Sequence, residues 1–353
     1  FVFSKYSHQQ FSYWKANDVT TKLPNGIQVM IPYDSFVLDK TWVLGEKEQT
    51  NIIANIGNIS KSIKLNDVVD RIFQGINSGA DSVFVLKPIS QSEDGKTIKV
   101  FSNELSAEVE LETELLHPVL KGREVNRYEI QEPDFLVLYL YVLDTDPHGH
   151  SQSDTRPLEE SELQTRFPLT WQYISSDPIM QRLKSRKYLM DAIEGGKMGY
   201  TKWYEMWKQR RLSWMSSRKV LTQVLSKENA FSLDESGKLF FVGGGTAGCN
   251  GIVMKKTGLS DYFIISILNS HLANFQMKAI SIKFRGDYFS TGGKGSLIDF
   301  PIRRISFTTP PARRAPLVEE AKALYYAEAP DSKKIIIFIS LRLYNFQLCF
   351  QPL

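Results

Sequence analysis

Positive charge is concentrated in two segments of this 353-residue chain. Residues 178–219 hold eleven Lys or Arg against three Asp or Glu, and residues 276–304 hold six against two. The whole chain carries a formal net charge of only +4, so the remaining residues are acidic overall. This segregation predicts one basic face on a neutral or acidic body. Tryptophans interleave with the cations of the first segment, a combination typical of nucleic-acid binding; a pair of solvated helix faces is the alternative.

Composition places the chain among ordinary globular proteins, with 42% apolar and 23% charged residues. Cys249 and Cys349 are too far apart for metal-ligand or redox spacing, which favours a reducing compartment, and we expect a cytoplasmic protein. No apolar run has the length of a membrane span, and the start shows no signal-peptide pattern. The first residue is Phe1, as expected of a domain taken from a longer chain.

Turn signals and apolar periodicity predict an α+β fold of mixed sheets with packed helices, followed by a C-terminal extension. We expect a short helix that starts at Asn66 or Asp67 and ends at Gly75, a second helix within residues 108–120, and later helices after 158, over 183–193 and over 260–275. Strands are predicted over residues 27–31, 83–86, 97–101, 135–143, 219–225, 239–242 and 251–254. Residues 144–156 read as a loop.

Several segments, taken in order, resemble the TaqI-like specificity domain, the target-recognition region of adenine-specific DNA methyltransferases in restriction-modification systems. The similar stretches are residues 65–85, including Asn77-Ser78-Gly79, then 116–128, 203–205 with 210–211, 218–221, 267–270 and 297–302. Together they span roughly residues 36–305. Arg218 departs from the family, which usually has proline before the lysine, and residues after 306 match no pattern that we can name.

The resemblance implies a domain that binds duplex DNA and positions a target adenine for a catalytic domain. The family's methyltransferase domain binds S-adenosylmethionine and carries an Asn-Pro-Pro-Tyr or Asn-Pro-Pro-Phe motif. Pro310-Pro311 does not fit that motif, because Thr309 precedes it and Ala312 follows it. We therefore expect no cofactor in this chain, no catalysis by the chain alone, and a methyltransferase domain in the same polypeptide. The resemblance leaves open whether that polypeptide also contains a nuclease domain. No membrane partner is expected.

Candidate DNA contacts follow from side-chain chemistry, since Lys and Arg bind phosphates, while Arg, Lys and Asn also meet base edges. Trp203 and Trp207 have helical spacing, with core packing and base stacking as the two alternatives. Arg123 and Arg127 are alternatively structural, and Asn77 and Ser78 alternatively make only a turn. The candidate contacts are Asn77, Ser78, Arg123, Arg127, Lys202, Trp203, Lys208, Arg210, Arg211, Lys219, Lys283, Arg285, Tyr288 and Lys294.

The predicted organisation has three parts: residues 1–60 as a lead-in from a preceding domain, 61–305 as the recognition domain, and 306–353 as a helix and an apolar tail. No metal site is predicted, because His148 and His150 lack further ligands in the sequence. Two alternatives stay open at this point. One is a separate specificity subunit of a multi-subunit restriction system, and the other is a complete nucleic-acid enzyme whose active site the sequence does not reveal.

Overall fold

A computed structural model describes residues 10–16, 26–32, 62–144, 154–196, 199–245, 247–255, 260–284, 286–292 and 297–303. The strands in chain order are β1 Gln10–Ala16, β2 Gly26–Pro32, β3 Ser62–Lys64, β4 Val69–Gln74, β5 Val85–Gln91, β6 Thr97–Ser102, β7 Ala107–Glu112, β8 Leu116–Leu120, β9 Val125–Asn126, β10 Glu129–Ile130, β11 Phe135–Leu138, β12 Tyr141–Leu143, β13 Thr155–Pro157, β14 Lys219–Gln223, β15 Leu225–Ser226, β16 Phe231–Asp234, β17 Phe240–Phe241, β18 Cys249–Met254, β19 Phe289–Ser290 and β20 Pro301–Arg303. The helices are α1 Leu65–Val68, α2 Asp81–Phe84, α3 Glu160–Arg166, α4 Pro168–Ser175, α5 Asp177–Lys184, α6 Lys187–Glu194, α7 Leu212–Met215, α8 Asp261–Leu268 and α9 His271–Ile280. The predicted α+β class is confirmed.

Two larger sheets organise these elements. One has six strands in the order β17-β8-β11-β5-β6-β7, and the other has four in the order β16-β14-β18-β4. All pairs of the four-stranded sheet are antiparallel. In the six-stranded sheet, β17 runs parallel to β8 while the other pairs are antiparallel.

The four-stranded sheet is buried on both faces, because successive side chains of its strands enter different hydrophobic clusters. On β14, Val220 packs into the cluster that contains helices α8 and α9. Leu221 packs into the cluster that contains the six-stranded sheet and helices α3 to α5. This sheet therefore has its faces committed to packing, and only its ends are left for binding.

The predicted helix from residue 66 to residue 75 is wrong beyond its first turn. Only Leu65–Val68 is helical, and Val69–Gln74 pairs with β18 as a strand. The error has a physical cause: the pairing register shifts between Val253 and Met254, so the inward residues of β4 are not strictly alternate. A bulged strand can thus place apolar residues at spacings that resemble a helix.

The helix predicted within residues 108–120 is also wrong. Ala107–Glu112 and Leu116–Leu120 are strands joined by a short 3₁₀ turn. Glu108, Glu110 and Glu112 alternate with Val109 and Leu111, which is the two-residue period of a strand.

Three long segments break where the sequence predicted continuity. The strand over residues 135–143 divides into β11 and β12, which belong to different sheets. The helix over 183–193 begins as the end of α5 and continues, after Ser185 and Arg186, as α6. The helix over 260–275 divides at Asn269 and Ser270, where the Ser270 hydroxyl accepts a hydrogen bond from the Ala273 backbone amide and so caps α9.

The strand predicted over residues 83–86 is wrong in its first half, because Val83 and Phe84 belong to α2 and β5 begins at Val85. The remaining strand predictions are confirmed with small shifts of their bounds, as β2, β6, β14, β17 and β18. Most of the loop predicted over residues 144–156 lies outside the described residues, as do the helix and tail predicted after residue 306.

Candidate nucleic-acid interface

Three connections of the four-stranded sheet meet at one of its ends. Gln74 ends β4 and pairs with Asn250 near the start of β18, which in turn pairs with Thr222 near the end of β14. The connections that emerge here are the turn after β4, the loop before β18 and the segment after β14. Loops at the end of a rigid sheet are a favourable place for binding side chains.

Backbone hydrogen bonds join these connections to one another. The Gly243 amide donates to the Ile76 carbonyl over 2.6 Å, and Asn77 and Lys208 exchange two bonds of 2.8 and 3.0 Å. Two further bonds extend the group, from Gly122 to Ala247 over 2.7 Å and from Val224 to Gly248 over 2.8 Å. We call the resulting group the sheet-end surface; it comprises residues 74–79, 121–123, 208, 224–228, 243–245 and 247–248.

Glycine is required where two of these segments touch. A Cβ atom on Gly75 would lie 2.3 Å from the Phe241 carbonyl oxygen, and one on Gly243 would lie 2.2 Å from the Gly75 carbonyl oxygen. No side chain fits at such distances. The two glycines therefore let the turn after β4 lie directly against the loop before β18.

A β-hairpin extends from the sheet-end surface. The Ser290 amide donates to the Ile282 carbonyl over 3.0 Å and the Phe284 amide to the Tyr288 carbonyl over 2.7 Å, with Lys283 opposite Phe289. The turn contains Gly286 and Asp287, both at positive φ. The base of the hairpin is fixed because β19 pairs with β15.

The side chains of this hairpin divide into an anchor and an exposed set. Phe289 is fully buried, whereas Ile282, Phe284 and Tyr288 are 64%, 48% and 40% exposed. The Lys227 ammonium lies 5.1 Å from the centre of the Tyr288 ring, within cation–π range. Large apolar and aromatic side chains this exposed mark a binding surface rather than a core.

Two of the four candidates predicted in this region are therefore exposed on the hairpin. Lys283 and Tyr288 both face solvent. Arg285 and Lys294 lie outside the described residues. Lys227 was not predicted from sequence, because only the fold brings residue 227 next to residue 288.

The two candidate contacts in the turn after β4, Asn77 and Ser78, differ in exposure and in hydrogen bonding. The Asn77 side-chain oxygen accepts a hydrogen bond from the Gly79 amide over 3.2 Å, and the side chain is half-buried at the surface. Ser78 is 4% exposed; its hydroxyl donates to the Asp81 carboxylate and accepts from the Ala80 amide. Ser78 therefore has a structural role here, and a DNA contact from its hydroxyl does not fit this geometry.

Arg123 ends the Lys-Gly-Arg stretch at residues 121–123, and Arg127 follows four residues later. Arg123 is exposed, and its guanidinium lies 2.6 Å from the Glu124 carboxylate and 3.6 Å from that of Asp134. The hydrogen bond to Glu124 raises the Arg123 pKa further above its ordinary value. Arg127 is half-buried, and its Nη2 atom has no hydrogen-bond partner among the described residues.

The central basic segment, residues 178–219, is not helical at Trp203 and Trp207, because residues 199–211 form turns and irregular backbone. Trp203 is half-buried against the core, and its indole N–H donates to Glu160 over 3.2 Å. Core packing thus describes Trp203 best. Trp207, by contrast, is 41% exposed. Trp203 and Trp207 thus differ in exposure, although their spacing in the sequence gave no reason to distinguish them.

The lysines and arginines of this segment differ in exposure and in their protein partners, and therefore in their ability to bind phosphates. Lys202 pairs with Glu159 over 2.6 Å. Arg210 is half-buried, donates to the Gln74 carbonyl over 2.5 Å and has its pKa lowered by burial. Arg211 lies with its guanidinium carbon 5.0 Å from the centre of the Trp214 ring. Lys208 is exposed and, within the described part of the chain, in no ion pair.

Lys219 is a correction to the candidate contacts. Its side chain is fully buried, and its ammonium lies 2.6 Å from the Asp234 carboxylate. It also donates to the backbone carbonyls of Met215 and Ser217. A cation enclosed in this way cannot reach a phosphate, so Lys219 stabilises the fold instead.

The described residues contain no cluster of three or more His, Cys, Asp or Glu side chains arranged to hold a metal ion. Within the same ranges, no helix combines the length and the apolarity that a membrane crossing needs.

Comparison with known families supports the specificity-domain resemblance. No curated protein matches the chain. A family model does, over less than half of the chain but including the central basic segment, β14 to β20 and the hairpin. Residues 165–302 of this chain match the TaqI-like C-terminal specificity domain.

Proposed function

We propose that this chain recognises a specific sequence in duplex DNA as the specificity domain of a restriction-modification adenine methyltransferase. The proposal includes a cytoplasmic location and residues 61–305 as the recognition unit. A methyltransferase domain in the same polypeptide would bind S-adenosylmethionine and act on the adenine, while this chain catalyses nothing by itself.

The observation that carries the proposal is the hairpin over residues 282–290, which extends from the sheet-end surface with exposed side chains on both strands. A two-stranded β-ribbon has the width to enter the major groove, where base pairs are distinguishable. Tyr288 would then lie near base edges on one face of the ribbon, and Lys283, which pairs with Phe289 and projects from the opposite face, near the wall of the groove.

Exposed cations on the surface support phosphate binding next to that ribbon. Lys208 and Lys227 are both exposed, and neither has a carboxylate partner in the described part of the chain. Contacts to phosphates fix the orientation of a protein on the duplex, and contacts to bases supply its specificity. The arrangement provides both kinds of group on one surface.

Selection from a random duplex-DNA pool at two salt concentrations tests the proposal. We expect salt-sensitive retention and enrichment of one short motif. The double substitution Lys283→Ala with Tyr288→Ala should remove the enrichment while it leaves weak, salt-sensitive binding. Lys96→Ala, in the turn between β5 and β6, is the matched control and should change neither.

Two results would contradict the proposal. Failure of the unaltered chain to retain any duplex at low salt would exclude DNA binding. Enrichment of the same motif by the hairpin double variant would exclude the hairpin as the base-contacting element.

A further inference from the structure

The aromatic side chains of Tyr188 and Trp207 form an exposed pair outside the hairpin. Their ring centres are 5.7 Å apart with an interplanar angle of 50°, and the side chains are 53% and 41% exposed. Neither belongs to a hydrophobic cluster of the described core. These two rings therefore contribute little to core packing, and about half of each side chain is exposed to solvent.

The backbone around Trp207 is held from several sides. Its amide donates to the Ser78 carbonyl over 3.3 Å, and its carbonyl accepts from the Tyr200 hydroxyl. A Cβ atom on Gly79, which has a φ of +67°, would lie only 3.2 Å from the Trp207 Cβ. A rigid aromatic ring loses little conformational entropy on binding, which favours a stacking role.

Arg186 joins the backbone segments that carry Tyr188 and Trp207. Its guanidinium donates to the carbonyls of Ser78 and Glu205 over 3.1 and 2.7 Å, and to that of Trp203 over 2.7 Å. Helix α6, which carries Tyr188, begins at the next residue. The helix and the Trp207 segment are thus tied to one buried side chain.

An exposed lysine stands next to each ring in the sequence. Lys187 precedes Tyr188 and Lys208 follows Trp207, and both lysines are exposed without an ion pair within the described ranges. Asp191, one helical turn beyond Lys187, is the exposed carboxylate on the same helix closest in sequence to Tyr188. Two neighbouring aromatic rings, each with an exposed lysine next to it in the sequence, suit a base and its phosphates, because bases stack on aromatic rings and lysines bind the adjoining backbone.

We propose that the Tyr188–Trp207 pair binds an unstacked base of the DNA. The inference rests on the proposed function, and it adds a second contact to it. Lys208 links the two places, because its backbone pairs with Asn77 of the sheet-end surface while its neighbour is Trp207. Enzymes that modify a base remove it from the helical stack, so the proposed methyltransferase domain would create an unpaired nucleotide in the DNA that this chain binds.

The test uses the full chain and two kinds of DNA probe that share the selected motif. One is fully paired, and the others carry 2-aminopurine opposite an abasic site at each position of the motif in turn. At one position or more, we expect about tenfold tighter binding than to the paired probe, together with quenched 2-aminopurine fluorescence, as one stacking contact would give.

Substitutions at Trp207 test whether the Tyr188–Trp207 pair causes the added affinity and the quenching. Trp207→Ala should lose both the added affinity and the quenching, yet bind the paired probe within about twofold of the unaltered chain, and Trp207→Phe should retain most of both. Ile89→Ala removes another exposed apolar side chain, on β5, and should change nothing. Circular dichroism of each variant confirms folding.

Three outcomes would overturn the inference. In the first, the paired probe binds but no position gives added affinity or quenching. In the second, both effects survive in Trp207→Ala and Trp207→Phe, which would place the base elsewhere. In the third, no probe binds at low salt, and the proposed function fails as well.

Discussion

The Lys219 ammonium lies 2.6 Å from the Asp234 carboxylate, and the two side chains are 0% and 1% exposed. They are directly opposite each other on β14 and β16. Asp234 also accepts hydrogen bonds from the amides of Gly237 and Leu239, so the carboxylate closes the turn that leads to β17. Burial lowers the pKa of Lys219, and the charge of Asp234 opposes that shift.

Replacing Lys219 with methionine should lower the free energy of unfolding by about 3–5 kcal/mol, because it leaves the Asp234 charge buried without a cation. Urea denaturation measures the change. Lys227→Met, at an exposed lysine, is the control and should change stability by less than about 0.5 kcal/mol. A loss below about 1 kcal/mol for Lys219→Met would show that the pair is not needed to close the turn.

Lys219 also shows what the sequence could and could not predict. The α+β class and most strands follow from local apolar patterns, and the family resemblance follows from ordered motifs. Whether a given lysine is exposed depends on contacts distant in sequence: Lys219 and Lys227 are chemically alike, but only Lys227 faces solvent. Burial of Ser78 and the closeness of residue 227 to residue 288 likewise arise only when the strands have paired.

Gly75 should not tolerate alanine, since its Cβ would lie 2.3 Å from the Phe241 carbonyl oxygen and 2.4 Å from the Val242 carbonyl carbon. Backbone atoms cannot rotate away as a side chain does. We expect a loss of about 1–3 kcal/mol in the free energy of unfolding. Gly292→Ala is the control, because its nearest new contact would be an ordinary 3.5 Å approach to the Asn250 side chain. Equal stability of the two variants would contradict the close packing of the two glycine segments.

His117 should make the fold sensitive to mild acid. Burial lowers its pKa from 6.5 to about 4, and its ring stacks on that of Phe240 at 4.1 Å. The unfolded chain binds a proton near pH 6.5 whereas the folded chain resists it, so stability falls as the pH drops from 6.5 towards 4 and levels off below.

The loss over that window should reach at most about 3.5 kcal/mol, from about 1.4 kcal/mol per pKa unit. Urea denaturation at pH 7.5 and pH 4.5 measures it. His117→Phe keeps a flat ring but cannot titrate, so its stability should depend less on pH, while His271→Gln, at an exposed histidine, should behave like the unaltered chain. The same pH dependence in His117→Phe would assign the effect to other groups.

Lys208 and Lys202 should differ in their contribution to DNA binding although both lie in the same basic segment. Lys208 is exposed and free of ion pairs in the described part of the chain, whereas Lys202 is 23% exposed and pairs with Glu159 over 2.6 Å. Lys208→Ala should reduce the slope of log affinity against log salt by about 0.9, the value for one lost phosphate contact. Lys202→Ala should leave the slope unchanged. Fluorescence anisotropy at four salt concentrations measures both slopes. Equal slopes for the two variants would contradict a phosphate contact from Lys208 and none from Lys202.

Arg186 should not be replaceable by lysine. Its guanidinium reaches the carbonyls of Ser78, Trp203 and Glu205, and burial lowers its pKa to about 10, so it stays charged at neutral pH. A lysine ammonium cannot match the forked geometry of these bonds.

Arg186→Lys should therefore lower the free energy of unfolding by about 2 kcal/mol, since carbonyls lose their donors in a mostly buried site. Arg182→Lys tests the same exchange at an exposed arginine, 3.7 Å from Glu104, and should cost less than about 0.5 kcal/mol. Because Arg186 joins the turn after β4 to the start of α6, its lysine variant should also weaken quenching of the unpaired base more than it weakens binding to the paired probe. Matching losses on both probes would mean that Arg186 supports the fold as a whole without a particular effect on the position of Trp207.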